Sequence, residues 1–285
     1  MALILDGSSL QAIKRDALRT AIGALKTPPR LAIIQVGHDP RSDVYIRYKT
    51  RFAEKIGAEI FHIQLPDDTT QATLEASINE CNSDAGIHGI IVQLPLPATL
   101  QPLAKQILNH IDEKKDVDGL SAKSKASLMS GTPLFVPATT KGVISMLDHY
   151  QILIEGAHAV VLGRSDLVGK PTALALLNRN ATVSIAHSRS TNVEELTSGA
   201  DIIVSAVGKP GLITSAHVSA KSVVVDVGIT VVDAERKKIV GDADFDAIKD
   251  KVRAISPVPG GVGPLTIACL FENLLDAYRH HSSAE

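Results

Sequence analysis

The stretch AHAVVLGRSDLVGKPTALALLNRNATVSIAH, residues 157–187, decides the fold. An apolar run at 159–162 ends at Gly163, and a loop follows with a second glycine at Gly169. A helical pattern then leads into a second strand at 182–186. Strand, loop, helix and strand in that order form the unit in which backbone N–H groups at a helix start meet a pyrophosphate. The glycines are not spaced as G-x-G-x-x-G, so the end of the second strand carries more of the argument. A site for plain NAD usually places Asp or Glu there to hold the ribose 2′-hydroxyl. Here the chain reads His187-Ser188-Arg189, with Arg164-Ser165 in the first loop. Two guanidinium groups and two hydroxyls suit a 2′-phosphate, which Arg grips bidentately. The expected cofactor is NADP.

Around this unit the first half of the chain alternates. Residues 31–36 (LAIIQV) read as a buried strand, and Asp39-Pro40 opens a helix with Asp as N-cap and Pro at its first position. Strands follow at 59–65 and 88–94, and helices at 70–82 and 100–111. Strands separated by helices of this length require crossovers and a parallel sheet. A Ser-, Gly- and Pro-rich stretch at 121–137 marks a transition, and 139–150 resumes a helical pattern. Beyond the nucleotide unit, Thr191-x-x-Glu194 fits a capping box, with strands at 201–207 and 222–228. Residues 231–252 are charged and read as mostly surface. The fold class is α/β, with a Rossmann-like unit in the second half.

The 285 residues suffice for two domains. A net charge of −2 gives no reason to expect nucleic acid or an anionic membrane as partner. Cys81 and Cys269 are the only cysteines and lack a C-x-x-C partner, which fits a reducing compartment. No apolar run is long enough to span a bilayer, and the start MALILDG does not read as a signal peptide. The expected location is the cytoplasm. The histidines form no H-x-x-x-H pair, so no metal site is expected.

Several residues are candidates for chemistry. Tyr45 and Lys49 stand four apart on one helix and share a face, although Arg47, Arg51 and Lys55 make that helix look basic and solvated. Gln93 closes an apolar strand (GIIVQLPLP) at its C-terminal edge, where ligands bind in open α/β sheets. Asp118 lies in a loop off the same edge; it also suits a turn before Gly119. The run Pro257-Val258-Pro259-Gly260-Gly261-Val262-Gly263-Pro264 reads as a connector or as a backbone platform for a flat ligand, leading into a helix at 265–278.

DPRSDVYIRYK, GIIVQLPLP, KKDVDG, VLGRSDLVGKP and PVPGGVGPLT stand in the order and spacing of one family. The chain resembles bifunctional methylenetetrahydrofolate dehydrogenase/methenyltetrahydrofolate cyclohydrolase over nearly its whole length. The resemblance implies a homodimer that oxidises 5,10-methylenetetrahydrofolate with NADP and hydrolyses the methenyl product to 10-formyltetrahydrofolate, on tetrahydrofolate derivatives that are polyglutamylated. It implies two α/β domains flanking a cleft: a folate-binding catalytic domain at 1–138 and 266–285 and a Rossmann-like NADP-binding domain at 139–265. Lys49 would be the main catalytic residue, Tyr45 a stacking group, Gln93 the partner tuning Lys49, and Asp118 the pterin anchor. Gly260, Gly261, Pro264 and Thr266 would complete the substrate site. Thr140, Gly163, Arg164, Ser165, Ser188 and Ile229 would hold NADP.

Lysine acts as a base only when neutral, so its pKa must fall well below the ordinary lysine range. An amide N–H from Gln93 would favour the neutral amine, whereas its carbonyl would favour the charged form. The chain departs from the family at Leu120-Ser121, where many relatives carry an aromatic residue and a histidine. It departs again at Ala138 and Thr140, within Pro137-Ala138-Thr139-Thr140-Lys141-Gly142. Two other readings are an NADP-linked dehydrogenase of another small molecule and a catalytically dead nucleotide-binding module. Against the first, Tyr45, Gln93 and Asp118 form no clamp for a carboxylate; against the second, Lys49 and Asp118 are both present.

Overall fold

The computed structural model describes residues 2–233 and 238–282. In chain order the elements are β1 (Leu3–Ile4), α1 (Gly7–Gly23), β2 (Arg30–Val36), α2 (Pro40–Ile56), β3 (Glu59–Leu65), α3 (Gln71–Ser83) and β4 (Gly89–Val92). There follow α4 (Ala104–Leu108), α5 (Ala122–Met129), α6 (Ala138–His149), β5 (His158–Leu162), α7 (Gly169–Leu177), β6 (Thr182–Ala186), α8 (Val193–Ser198) and β7 (Ile202–Ser205). The last are β8 (Val223–Asp226), β9 (Thr230–Asp233), β10 (Lys238–Val240), α9 (Phe245–Ile248), β11 (Ala254–Ile255) and α10 (Val262–Ser282).

These elements pack as two units. One is built from residues 13–138 and the segment from 267 onward. Its sheet runs β3-β2-β4, all parallel. Along β2, Leu31 and Ile33 enter one core with Phe52, Phe135 and Phe271, while Ala32, Ile34 and Val36 enter the other with Leu74, Ile78 and Ile107. Period-2 alternation with both faces buried explains why this strand reads as an uninterrupted apolar run. The later part of α10 belongs to this unit, and Phe271 stacks on Phe52 with ring centroids 5.4 Å apart.

The other unit takes residues 1–12 with 139–266. Its sheet is six-stranded, ordered β1-β11-β8-β7-β5-β6, and every pair is parallel. Ala159 and Val161 face one core, Val160 and Leu162 the other. From β5 the chain moves outward to β6 and then returns past β5 to β7. The switch point therefore lies at the C-terminal ends of β5 and β7, where open α/β sheets bind ligands.

Several expectations need correction. The N-terminal dozen residues pack with the dinucleotide-type unit rather than with 13–138, because Leu3 and Ile4 pair with Ala254 and Ile255. The stretch 121–137 is not all linker: Ser121 caps α5, its hydroxyl accepting from Ser124 N at 3.2 Å. The expected capping box at Thr191 is absent. The N-cap of α8 is Asn192, left-handed at φ 53°, with no side-chain cap bond. Helix 100–111 is shorter, a 3-10 turn followed by α4. The C-terminal helix begins at Val262, inside the Gly/Pro run, so Gly263 and Pro264 lie in its first turn. Of the segment expected to be surface, residues 234–237 lie outside the described residues, whereas Asp242, Ile248 and Val252 are buried.

Candidate active site

In α2 the buried positions are Ser42, Ile46, Phe52, Ala53 and Ile56. Residues 42, 46, 49, 53 and 56 follow the helical repeat, so Lys49 lies on the inward stripe although the helix looks basic overall. Its half-buried side chain reaches Gln93, just beyond the end of β4, with Nζ donating to Oε1 at 3.0 Å. Tyr45, one turn earlier, is 45% exposed.

The Gln93 amide has its orientation set from the other end. Its Nε2 donates to Leu94 O at 2.8 Å, so a flipped amide would set two oxygens against each other. The carbonyl therefore faces Lys49. Gln93 orients the amine but does not push it towards neutrality. Burial does that: it lowers the Lys49 pKa, and the negative charge of Asp118 opposes the shift. Burial likewise raises the Asp118 pKa, against the attraction of Lys49 and with the help of Asp116.

The loop carrying Asp118 is held by groups that sequence reading passed over. Asp116 is fully buried; its carboxylate accepts from Leu120 N at 3.2 Å, Ser121 N at 2.9 Å and Ser124 Oγ at 2.6 Å. The departure at Ser121 thus contributes to the loop that presents Asp118. Gly119 sits at φ +66°, and a Cβ there would press on Pro137. Buried Asn273 of α10 donates to Val117 O and Val136 O, both at 2.8 Å. Asp116 stands inside the KKDVDG motif already singled out; Asn273, 155 positions beyond Asp118, has no local signal.

In the six-stranded unit the dinucleotide edge is built around Gly163. It sits at φ +113°, and a Cβ would lie 2.6 Å from Ala206 O, so only glycine fits between β5 and the loop after β7. A Cβ on Gly169 would run into Gly163 O, which brings the start of α7 against the strand end. Ser165 Oγ accepts from Val168 N and Gly169 N, both at 3.2 Å. Arg164, Ser165 and Ser188 are exposed, and because Leu162 pairs with Ala186 their loops leave adjacent strands. Close-packed glycines, a helix start and exposed hydroxyl and guanidinium groups suit a pyrophosphate with a 2′-phosphate. Ile229, 44% exposed, follows β8.

Thr140, expected to hold NADP, lies in α6. It is fully buried, its hydroxyl 3.1 Å from that of Thr172, and so braces α6 against α7. Gly260, at φ +105°, and Gly261 form the turn before α10; Gly260 O accepts from Ser8 N at 3.1 Å. Pro264 O accepts from Gln11 Nε2 at 2.7 Å, and Thr266 Oγ1 lies 3.4 Å from that of Thr139.

Comparison with known proteins places these two groups of residues in matched segments. The family described as "Tetrahydrofolate dehydrogenase/cyclohydrolase, catalytic domain" matches residues 5–118, and its "NAD(P)-binding domain" matches 137–282. The bifunctional protein FolD of Methanoculleus marisnigri is 45% identical over 276 residues, covering 96% of each chain. The FolD crystal structure from Campylobacter jejuni superposes with a TM-score of 0.95 at 39% identity, covering 98% of this chain and 99% of that one. The Trypanosoma brucei enzyme, solved with NADP and an inhibitor, gives 0.92 at 32% identity and 98% coverage of both. The chain belongs to the tetrahydrofolate dehydrogenase/cyclohydrolase family.

Proposed function

We propose that the chain oxidises 5,10-methylenetetrahydrofolate with NADP and then hydrolyses the methenyl product to 10-formyltetrahydrofolate. The observation that carries this reading is Lys49, an amine on the buried stripe of α2, held at 3.0 Å by Gln93 and acted on by the charge of Asp118.

NADP, when bound, supplies the hydride acceptor. Gly163, Arg164, Ser165 and Ser188 would hold its phosphates, and Ile229 would offer apolar surface to its adenosine or ribose side. Losing hydride from the methylene bridge leaves a delocalised cation, so this step needs geometry more than an acid or base. Asp118 contributes that geometry by accepting pterin N–H groups. Each such bond to a charged acceptor is worth roughly 1.5–3 kcal/mol. Tyr45, exposed one turn from Lys49, lies against the ring.

In the second step water adds to the cationic carbon. The neutral amine of Lys49 takes the water proton as the C–O bond forms. Cleavage of the C–N5 bond then leaves the formyl group on N10, with one proton released overall. Gln93 fixes the amine by accepting one of its N–H bonds, which leaves the lone pair to be directed at the water.

The working enzyme is a homodimer in the cytoplasm and takes polyglutamylated folates; mass measurement in solution tests the first point. No described helix is long and apolar enough to cross a membrane. The function is tested by mixing purified protein with methylenetetrahydrofolate and either NADP or NAD, following reduced-nucleotide and methenyl absorbance separately. NADP-dependent reduction followed by decay of the methenyl signal is expected. A protein that does neither contradicts the proposal.

A further inference from the structure

The loop after β7, residues 206–209, closes one side of the dinucleotide edge. Ala206 N donates to Leu162 O at 2.8 Å, and Ala206 O is the atom that excludes any side chain at Gly163. In this loop Gly208 sits at φ +77° and Val207 is exposed. Its shape is imposed by one carboxylate far along the chain. Asp242, fully buried, accepts from Ser205 Oγ at 2.7 Å and Val207 N at 2.8 Å through Oδ2, and from Lys209 N at 2.7 Å through Oδ1.

Asp242 is itself held. Asp226, at the end of β8, accepts from Asp242 N at 3.1 Å and Gly228 N at 2.9 Å through Oδ1, and from Ala243 N at 2.8 Å through Oδ2. A Cβ on Gly228 would collide with the Asp242 carboxylate, and one on Gly241 with that of Asp226. Two interlocked carboxylates therefore fix the loops after β7 and β8 together. Thr230 Oγ1, donating to Gly208 O at 3.2 Å, adds a direct tie between them. Such three-donor carboxylates resist substitution, because each abandoned N–H is left without a partner.

We propose that Asp242 is a positioning residue for NADP: without touching the nucleotide, it holds residues 206–209 against Gly163 in the shape that binds it. The inference rests on the reading of Gly163 and Arg164 as the phosphate edge. Asp242 acts on the dehydrogenase step alone, since Lys49, Gln93 and Asp118 belong to the other packing unit.

The test compares Asp242→Ala, Asp242→Asn and Ser205→Ala with the parent, measuring the dehydrogenase KM for NADP, its kcat at saturating NADP, and methenyl hydrolysis without nucleotide. For Asp242→Ala the KM should rise about tenfold or more, while kcat and hydrolysis stay within about threefold of the parent. Asn, which keeps one acceptor oxygen, should fall between Ala and the parent. An unchanged KM overturns the inference, whether activity is retained or falls only through a smaller folded fraction. Where Asp242→Ala does not fold, Ser205→Ala decides alone: it removes one donor and should raise KM about two- to fivefold, and no rise counts against the inference. Arg164→Ala is run in parallel. If it too leaves NADP affinity unchanged, the phosphate-edge reading fails; if only the Asp242 and Ser205 variants are silent, the positioning role fails.

Discussion

Lys49 is pulled in two directions, and the balance sets its chemistry. Burial disfavours its cation, the charge of Asp118 favours it, and the net displacement is downward. A lysine with a folded-state pKa below its unfolded value binds fewer protons when folded. Stability therefore increases as pH rises from the folded pKa towards the ordinary lysine value, and the uncharged base becomes available over the same rise. Methenyl hydrolysis is expected to increase with pH through that transition. Lys49→Met should reduce hydrolysis by about 100-fold or more, with a smaller fall in hydride transfer; it should also flatten the alkaline gain in stability seen by denaturant titration. Arg164→Ala should weaken NADP by about tenfold while leaving NAD nearly unchanged, because a 2′-phosphate is the only group that distinguishes them. Equal losses would remove the 2′-phosphate from the account. At this scale the sequence was informative about Lys49 only through its motif. Its place on the stripe 42, 46, 49, 53, 56 was present in the helical repeat, but the neighbouring arginines masked it. The face of Gln93 turned to the amine could not be read at all, since Leu94 O decides it.

Elements were legible where one rule dominated. Strand β6 falls where its pattern placed it, and β5 and β2 each begin one residue earlier, because apolar runs bounded by turns leave little choice. Helix α5 was not legible: AKSKASLM carries little apolar signal, and its start is held by the Ser121 cap, the Asp116 carboxylate and Asn109 Oδ1, which accepts from Ala122 N. Ser121→Ala should therefore lower stability by about 1 kcal/mol through loss of the cap, read as a shift in the urea midpoint. Strand β5 and helix α7 meet at Gly163, which tolerates no side chain. Gly163→Ala should destabilise the protein by about 1–3 kcal/mol, from a strained positive φ and a backbone clash, and should weaken NADP. Unchanged thermal stability together with unchanged NADP affinity would contradict that packing.

Across the whole molecule, alternation of strands and helices was enough to foresee two parallel α/β sheets. What it could not convey was pairing between distant short segments. Strands β1 and β11 have two residues each, and only their mutual register joins the N terminus to the six-stranded sheet. Asp226 and Asp242 are similarly invisible, since buried carboxylates have no periodic signature. Burial pushes the Asp226 carboxyl up to about 6. A raised folded-state pKa means stability fully present below the ordinary carboxyl value and lost as pH rises through about 6. Denaturation between pH 4 and 7 should show that decline in the parent and a weaker one in Asp226→Asn.

An uncharged amine at Lys49 in the folate complex is tested most directly by NMR titration of ε-13C-labelled lysine in protein saturated with a non-reactive folate analogue. One resonance, absent in Lys49→Met, is predicted to titrate below all the other lysines. A Lys49 resonance that stays in the ammonium position until the other lysines titrate would contradict the account.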